Sequence, residues 1–207
     1  MQTLFVNDNA ITPSKVVCIG RNYADHIAEL NNEVPSEPVI FVKPNSAIAT
    51  ELRAGNEQGD GEAIHYEGEI SFVVTDGKLS AVGFGLDLTK RAVQSRLKAK
   101  GLPWERAKSF DGSAVFSGFT AFDGDSSELS LELYINDTLI QEGGYPLMLH
   151  KPEALLEEVQ SFMSFENGDV LMTGTPAGVG IVNRGDVFHG KILQQGKLII
   201  EARWTAA

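Results

Sequence analysis

The sequence predicts an α+β fold in which strands predominate and helices are few. Apolar runs of strand length recur along the chain, and three pairs of them are separated by two-residue turn signals, Asp76-Gly77, Asn136-Asp137 and Gln195-Gly196. Helical spacing of apolar residues is confined to three segments. The chain has no internal repeat, low-complexity tract or long linker, so we expect residues 1–207 to form one domain.

The first half of the chain is predicted to contain four strands, a short helix and a polar loop. The strands are apolar runs bounded by glycine, proline or turn residues, and they are predicted at residues 15–19, 39–42, 64–75 and 79–85. Residues 23–30 have the apolar spacing of a short helix. Residues 54–61 are polar and contain glycine, which is typical of a loop.

The second half is predicted to contain two helices and five strands. The pattern at residues 89–100 is helical, with Gly101 as a C-terminal stop and basic residues in the last turn, where they suit the helix dipole. Pro152 opens an amphipathic helix. The apolar face of that helix comprises Leu155, Leu156, Val159, Phe162 and Met163. The strands are predicted at residues 129–135, 138–142, 170–173, 187–193 and 198–204.

Composition excludes several classes of protein. The 207 residues are 43% apolar and the mean hydropathy is close to zero, which is typical of a globular protein. No apolar run reaches the roughly 18–20 residues of a membrane-spanning helix, and residues 1–9 lack the pattern of a signal peptide. Cys18 is the single cysteine, so no internal disulfide forms, and we expect a cytoplasmic protein.

The acidic balance of the chain bears on its partners. The formal net charge is −11 at neutral pH, which repels phosphate backbones and argues against nucleic acid as a partner. Acidity can also mark a cation site, although most such carboxylates are solvated surface groups. The charge therefore argues against a nucleic acid partner, but by itself it selects no function.

Glu67 and Glu69 form the first motif that points to chemistry. They flank Gly68 in a predicted strand, and alternation along a strand places both side chains on one face. Two like charges so placed repel each other unless one is protonated or a cation lies between them. A divalent cation with oxygen ligands suits this geometry. A solvent-facing strand edge is the structural alternative.

Asp87 is the natural third ligand. It follows an apolar run rich in glycine and precedes the predicted helix at residues 89–100, so its ordinary role would be a helix N-cap. Together with Glu67 and Glu69, however, it would complete a site of hard carboxylate oxygens. Such a site favours Mg²⁺ or Mn²⁺ over zinc.

Six segments carry further motifs in colinear order from about residue 15 to the C-terminus. They are Gly20-Arg21-Asn22-Tyr23-Ala24-Asp25-His26, Val39-Ile40-Phe41-Val42-Lys43-Pro44, Glu67-Gly68-Glu69, Asp87-Leu88-Thr89 with Arg91 and Gln94, Gly101-Leu102-Pro103-Trp104 with Ala107-Lys108-Ser109-Phe110-Asp111, and Leu171-Met172-Thr173-Gly174-Thr175-Pro176-Ala177-Gly178-Val179-Gly180. Together they resemble the fumarylacetoacetate hydrolase family. The resemblance is to its short single-domain branch, which includes acylpyruvate hydrolases and related oxaloacetate-acting enzymes.

The resemblance implies both an architecture and a cofactor. The expected fold is a mixed β-roll or β-sandwich of the fumarylacetoacetate hydrolase C-terminal-domain type, assembled as a homodimer. It also implies that Glu67, Glu69 and Asp87 hold one Mg²⁺, with Mn²⁺ as a possible substitute.

Three residues are candidates for catalysis. His26 and Glu29 lie three apart in the predicted helix at residues 23–30 and so share a face, where the carboxylate would fix the imidazole tautomer and raise its basicity. An exposed pair of this kind more often has no function, but the resemblance maps both residues onto the catalytic dyad of acylpyruvate hydrolases. Lys108 resembles the family's active-site lysine, which would neutralise oxyanion charge. Its structural alternative is a surface lysine.

Six more residues are expected to contact the substrate, namely Arg21, Asn22, Arg91, Gln94, Gly174 and Thr175. The arginines would bind a substrate carboxylate, and Gln94 would orient one. The structural alternative for Arg91 is a solvated cation on its basic helix. Residues 173–180 superficially resemble a phosphate loop but lack its Gly-Lys-Ser/Thr ending, and Pro176 interrupts the backbone donors. We therefore expect backbone N–H groups and the Thr175 hydroxyl to hold a carboxylate. A structural turn is the alternative explanation for the later glycines.

The resemblance implies a 2-oxo acid substrate, whose carboxylate and keto oxygens can chelate one metal ion, and such an ion would stabilise the enolate. That chemistry serves several reactions, so fold and metal do not select among them. We expect first a hydrolase that cleaves the C–C bond of an acylpyruvate such as fumarylpyruvate. The alternatives at the same site are an oxaloacetate decarboxylase or tautomerase and a dienedioate isomerase. A non-catalytic 2-oxo-acid or metal-binding protein is an alternative of another class.

Overall fold

The structure, a computed structural model, describes residues 1–30, 32–55 and 62–207. In chain order the strands are β1 (Leu4–Val6), β2 (Asn9–Ile11), β3 (Lys15–Gly20), β4 (Val39–Pro44), β5 (Ile48–Ala49), β6 (Ile64–Tyr66), β7 (Gly68–Thr75), β8 (Lys78–Asp87), β9 (Thr89–Lys90), β10 (Ala114–Phe116), β11 (Thr120–Ala121), β12 (Leu129–Ile135), β13 (Thr138–Gly144), β14 (Val170–Met172), β15 (Gly180–Ile181), β16 (Val187–Gln194) and β17 (Lys197–Thr205). The helices are α1 (Ala24–Glu29), α2 (Arg91–Ala99), α3 (Glu105–Lys108) and α4 (Pro152–Gln160). The predicted α+β class with few helices is confirmed.

Two sheets account for most of the structure. The larger has the strand order β4-β3-β14-β7-β8-β10-β5, with β11 also paired to β8. It is mixed, because β14 runs parallel to β3 and β10 runs parallel to β5, whereas its other neighbours are antiparallel. The second sheet is antiparallel in the order β13-β12-β16-β17, and a small sheet has the order β15-β6-β9. This small sheet brings β6, just before Glu67, beside β9, just after Asp87.

The main core lies between the two sheets. Phe72, Phe84 and Leu86 of the large sheet belong to one buried cluster with residues of β12 and β16, including Phe188. Gly190 makes this packing possible, because a Cβ atom there would lie 2.4 Å from Cδ1 of Phe84. The glycine is therefore required by the approach of the phenyl ring to the β16 backbone.

The three predicted hairpins are confirmed. Asp76-Gly77 joins β7 to β8, Asn136-Asp137 joins β12 to β13, and Gln195-Gly196 joins β16 to β17. In each turn both central residues have positive φ, from 50° to 73°. This conformation matches the right-handed twist of the flanking strands, which explains why glycine, asparagine and aspartate mark these turns.

Three predicted elements have different bounds in the structure. The strand predicted at residues 64–75 is interrupted at Glu67. The helix predicted from residue 89 begins at Arg91, since Thr89–Lys90 forms β9, so Asp87 is not a helix N-cap. Helix α4 ends at Gln160, which leaves Phe162 61% exposed instead of on the buried face. Most of the loop predicted at residues 54–61 lies outside the described residues. Within the described residues, no helix has the length and apolar character needed to cross a membrane.

Replacing Gly190 with alanine tests the packing between the sheets. We expect Gly190→Ala to lower the free energy of unfolding by about 1–3 kcal/mol, because the added methyl group overlaps the Phe84 ring. Urea denaturation monitored by circular dichroism measures this loss. The matched control is Gly118→Ala, whose new methyl group would have its nearest neighbours at 4.0 Å. Equal urea-denaturation midpoints for the two variants would contradict the proposed packing.

Candidate metal centre and active-site cavity

The three predicted metal ligands converge where two strands meet. Glu67 lies in the one-residue gap between β6 and β7, Glu69 is the second residue of β7, and Asp87 ends β8. Because β7 and β8 are antiparallel, with Gly68 opposite Leu86, the start of one strand lies beside the end of the other. One oxygen from each carboxylate lies within 4.8 Å of the other two, and all three residues are buried.

Lys108 and Arg91 neutralise part of this negative charge. Lys108 Nζ donates hydrogen bonds to Glu67 Oε2 at 2.8 Å and to Asp87 Oδ2 at 2.6 Å. Its third hydrogen bond goes to Thr89 Oγ1 at 2.7 Å, so each ammonium hydrogen has an acceptor. The guanidinium of Arg91 pairs with Glu67 Oε1. Lys108 is thus a buried residue of the centre and not a surface lysine.

Lys43 is a member of the centre that the sequence analysis missed. Its side chain is fully buried, its Nζ lies 2.8 Å from Asp87 Oδ1, and it donates to the backbone carbonyl of Lys108. The available sequence signal was a charged residue at the end of the apolar run 39–42, since a buried lysine requires compensating partners. Three carboxylates therefore face three cations.

The carboxylates have opposite electrostatic environments. Burial raises the pKa of Glu69 well above its ordinary value, and the negative charges of Asp87 and Glu67 raise it further. Burial alone would also raise the pKa of Glu67, but the charges of Lys108 and Arg91 outweigh that effect and hold the pKa below its ordinary value. Glu69 is therefore the ligand whose negative charge most needs an additional cation.

The donor set fits a divalent metal ion. All three ligands supply hard carboxylate oxygens, which Mg²⁺ and Mn²⁺ prefer. One oxygen from each carboxylate lies within 4.8 Å of the other two, and burial together with this crowding raises the pKa of Glu69. An ion bound among the three side chains would offset this concentration of negative charge.

A cavity opens onto the carboxylates. Five other predicted residues join Glu67, Glu69 and Lys108 in its lining, namely Arg21, His26, Arg91, Gln94 and Thr175. Arg91 Nη1 donates to Gln94 Oε1 at 2.8 Å, so these two side chains are held together. The structure therefore brings most of the predicted site residues around one cavity.

His26 and Glu29 form the predicted pair on α1. His26 Nδ1 lies 3.1 Å from Glu29 Oε2, and the backbone N–H of Gly178 donates to Glu29 Oε1 at 3.0 Å. His26 is buried and lines the cavity, whereas the Glu29 side chain is 31% exposed. The pair is nevertheless held in place, because the N–H of Gly178 holds the carboxylate and the carboxylate orients the imidazole.

Two predicted substrate contacts have structural roles instead. Both N–H donors of the Asn22 side chain are engaged by the carbonyl oxygens of His150 and Thr173, at 2.9 and 2.8 Å. The N–H of Gly174 donates to Glu69 Oε2 at 2.7 Å. Asn22 therefore ties loops together, and the loop at Gly174 holds a protein carboxylate where we had expected it to hold a substrate carboxylate.

Lys98 is a second cavity residue that the sequence analysis did not select. It lies in α2, and its Nζ donates to Asn32 Oδ1 at 2.6 Å. From the sequence, the basic residues of this helix were interpreted as partners of the helix dipole. Nothing local in the sequence distinguishes Lys98 from Lys100, because its position in the cavity depends on how α2 packs.

Comparison with known proteins places the chain in one family. The family described as "Fumarylacetoacetate (FAA) hydrolase C-terminal" matches residues 15–202. The chain is 38% identical over 187 residues to an oxaloacetate tautomerase of Escherichia coli, a match that covers 84% of this chain and 85% of that protein. It is 35% identical over 232 residues to a mitochondrial oxaloacetate tautomerase of Saccharomyces cerevisiae, with 90% of each chain covered.

A solved structure adds information about the metal. The fumarylpyruvate hydrolase of Pseudomonas aeruginosa, in complex with Mn²⁺ and pyruvate, superimposes with a TM-score of 0.88 at 26% identity. The match covers 100% of this chain and 95% of that chain. The predicted fold type, a mixed β-structure with few helices, is thereby confirmed, and a divalent metal site agrees with the acidic triad found here.

Removal of one ligand tests the metal site. We expect Glu69→Gln to weaken Mn²⁺ binding by at least roughly 100-fold, since even second-sphere substitutions reduce metal affinity by about 10–100-fold. Isothermal titration calorimetry measures the affinity. Glu157→Gln, an exposed substitution on α4, is the matched control and should bind like the wild type. Wild-type affinity in the Glu69 variant would contradict this assignment.

The raised pKa of Glu69 predicts a pH dependence of the metal-free protein. Between the ordinary carboxyl value of 4.5 and the raised value, the folded state retains a proton that the unfolded chain has released. The free energy of unfolding therefore falls as the pH rises above about 4.5, by at most about 1.4 kcal/mol per pH unit from this group. The lowered pKa of Glu67 acts below 4.5 and does not oppose this trend.

Urea denaturation between pH 5 and pH 8, in the presence of a chelator, measures this pH dependence. The difference in stability between wild type and Glu69→Gln should grow in favour of the variant as the pH rises. A difference that does not change with pH would show that Glu69 has an ordinary pKa.

Proposed function

The chain belongs to the fumarylacetoacetate hydrolase family, and from this premise we propose that it is a metal-dependent enzyme that catalyses the keto–enol tautomerisation of oxaloacetate. On the sequence alone, hydrolysis of acylpyruvates is the first expectation and this reaction is the second. The order is now reversed, because curated relatives at 35% and 38% identity are oxaloacetate tautomerases. The observation that carries the proposal is that His26 lines one cavity with Glu67 and Glu69, two members of the buried carboxylate triad.

The substrate would bind through its 2-oxo acid end. Glu67, Glu69 and Asp87 would hold Mg²⁺ or Mn²⁺, which when bound supplies a Lewis acid for the carboxylate and keto oxygens. Arg91 lines the same part of the cavity, held by its pairing with Glu67 and Gln94. The substrate's methylene carbon would then lie in the space that His26 borders.

His26 is suited to move the proton that the reaction transfers. With its Nδ1–H donated to Glu29, its Nε2 carries the lone pair and acts as a base. His26 would take a proton from the methylene carbon, and a proton would be delivered to the keto oxygen, so the reaction neither consumes nor releases one. Glu29 stabilises the imidazolium formed between the two transfers and is itself held by the Gly178 N–H.

The charge of the centre favours an anionic substrate. Lys43, Lys108 and Arg91 balance the three carboxylates. A divalent ion would therefore leave two positive charges without a counterion in a buried place. The carboxylate at the 2-oxo acid end of oxaloacetate would neutralise one of these charges.

Hydrolysis of an acylpyruvate is the second candidate function. It is favoured by the similarity to the fumarylpyruvate hydrolase of Pseudomonas aeruginosa and by the His26–Glu29 pair, which could equally deliver a water molecule. Decarboxylation of oxaloacetate would likewise draw on the Lewis acid that a metal ion held by Glu67, Glu69 and Asp87 would supply. Assembly as a homodimer, location in the cytoplasm and the preference for Mg²⁺ over Mn²⁺ remain predictions.

Substitution of the proposed base tests the mechanism. We expect His26→Gln to reduce kcat for oxaloacetate tautomerisation by roughly 10²–10⁴-fold, because general acid–base catalysis contributes that much, while Mn²⁺ binding stays unchanged. Glu29→Gln should also reduce kcat, since it removes the group that orients His26. The matched control, Glu33→Gln, is an exposed position in the following loop and should retain wild-type kcat. Wild-type kcat in the His26 variant would rule out its role as the base.

A substrate panel distinguishes tautomerisation from hydrolysis. With Mg²⁺ present, the wild type should accelerate the enol–keto interconversion of oxaloacetate more efficiently than it cleaves fumarylpyruvate or acetylpyruvate, when kcat/KM values are compared. Ultraviolet absorbance of the enol follows the first reaction, and pyruvate release follows the others. A higher kcat/KM for cleavage would support the hydrolase in place of the tautomerase.

A further inference from the structure

Two basic residues at the mouth of the cavity differ from the cations of the metal centre. Arg21 and Lys98 both line the cavity and are partly buried. Within residues 1–30, 32–55 and 62–207, neither of them contacts a carboxylate, whereas Lys43 and Arg91 each pair with one and Lys108 pairs with two. The mouth of the cavity therefore carries positive charge that the described part of the protein does not balance.

The two cations repel each other. Burial lowers the pKa of Lys98, and the positive charges of Arg21 and Arg91 lower it further. Holding like charges together at a partly buried position destabilises the free protein, and an anion bound between them relieves that destabilisation. Repulsive pairs maintained in a cavity lining are typical of a site for a negatively charged ligand.

Lys98 is also oriented. Its Nζ donates to Asn32 Oδ1 at 2.6 Å, and among the described residues this uses one of its three ammonium hydrogens and leaves two for a ligand. Because Asn32 follows α1, which carries His26, the contact also connects α2 to the segment that bears the proposed base. The lysine is thus positioned by the protein before any ligand arrives.

We propose that Lys98, with Arg21, binds the distal carboxylate of the substrate and so selects dicarboxylic over monocarboxylic 2-oxo acids. This inference rests on the proposed function for one point only, that the 2-oxo acid end of the substrate lies at the carboxylate triad. The triad end of the cavity is buried and the Lys98 end is partly buried, so the substrate would lie with its second carboxylate toward the mouth. Lys98 is then a specificity-determining residue.

The experiment compares two unreactive ligands that differ at the distal group. Oxalylglycine has an oxalyl headgroup and a distal carboxylate, whereas N-ethyloxamate has the same headgroup and an ethyl group in place of the carboxymethyl group. Isothermal titration calorimetry of the Mn²⁺-loaded protein gives Kd for each. The wild type should prefer oxalylglycine by roughly 10-fold to 100-fold, the range expected for one charge-assisted hydrogen bond.

Three variants separate the role of Lys98 from a general effect of charge. Lys98→Met should lose most of the preference by weakening oxalylglycine alone, and Lys98→Arg should retain much of it. Lys100→Met removes the same charge from an exposed position just beyond α2 and should keep the wild-type preference. Three outcomes would each overturn the proposal. The wild type could show no preference for oxalylglycine, the Lys98→Met variant could keep the preference, or that variant could lose affinity equally for both ligands.

A separate assay of oxaloacetate tautomerisation distinguishes failure of the proposed function from failure of the proposed carboxylate subsite. Both ligands are inert, so their binding does not depend on turnover. If the wild type prefers oxalylglycine through Lys98 but does not tautomerise oxaloacetate, the carboxylate subsite stands and the assigned reaction is wrong. If it tautomerises oxaloacetate but shows no preference between the ligands, the reaction stands and the subsite is wrong.

Discussion

The structure depends on neutralising the negative charge of three carboxylates, which the strands bury within a few ångströms of one another. Burial removes the solvent that would otherwise screen Glu67, Glu69 and Asp87, and their mutual repulsion adds to the loss of solvation. The position of each nearby cation follows from the need to balance these buried charges. Lys108 bridges two of the carboxylates, and Lys43 lies beyond Asp87 in a position that no water reaches. A divalent ion would complete the compensation, because Glu69 is the least neutralised of the three.

The fold serves this centre through main-chain geometry. Antiparallel pairing of β7 with β8 brings Glu69 beside the end of the strand that carries Asp87, and the break at Glu67 lets the third carboxylate join them. The backbone of Gly174 has φ of +94° and passes so close to Asn22 that a Cβ atom would lie 2.8 Å away. Only glycine fits there, and this allows its N–H to reach Glu69.

The features that could be predicted from the sequence are those that local geometry determines. The hairpins followed from two-residue turns, and the pairing of Glu67 with Glu69 followed from their spacing. The break at Glu67 and the end of α4 before Phe162 were not predicted, since tertiary contacts fix such boundaries. Lys43 and Lys98 were missed for the same reason, because their partners lie 44 to 66 residues away along the chain or on another element. The role of Asn22 likewise depends on loops 128 and 151 residues distant.

The central claim is that these three carboxylates bind one divalent metal ion. Anomalous diffraction from crystals grown with Mn²⁺ measures it most directly. The account predicts a single strong peak with oxygens of Glu67, Glu69 and Asp87 at about 2.0–2.2 Å, the range expected for an octahedral ion of this size. A map with no peak among the three side chains, and with Lys108 still bridging Glu67 and Asp87, would contradict it.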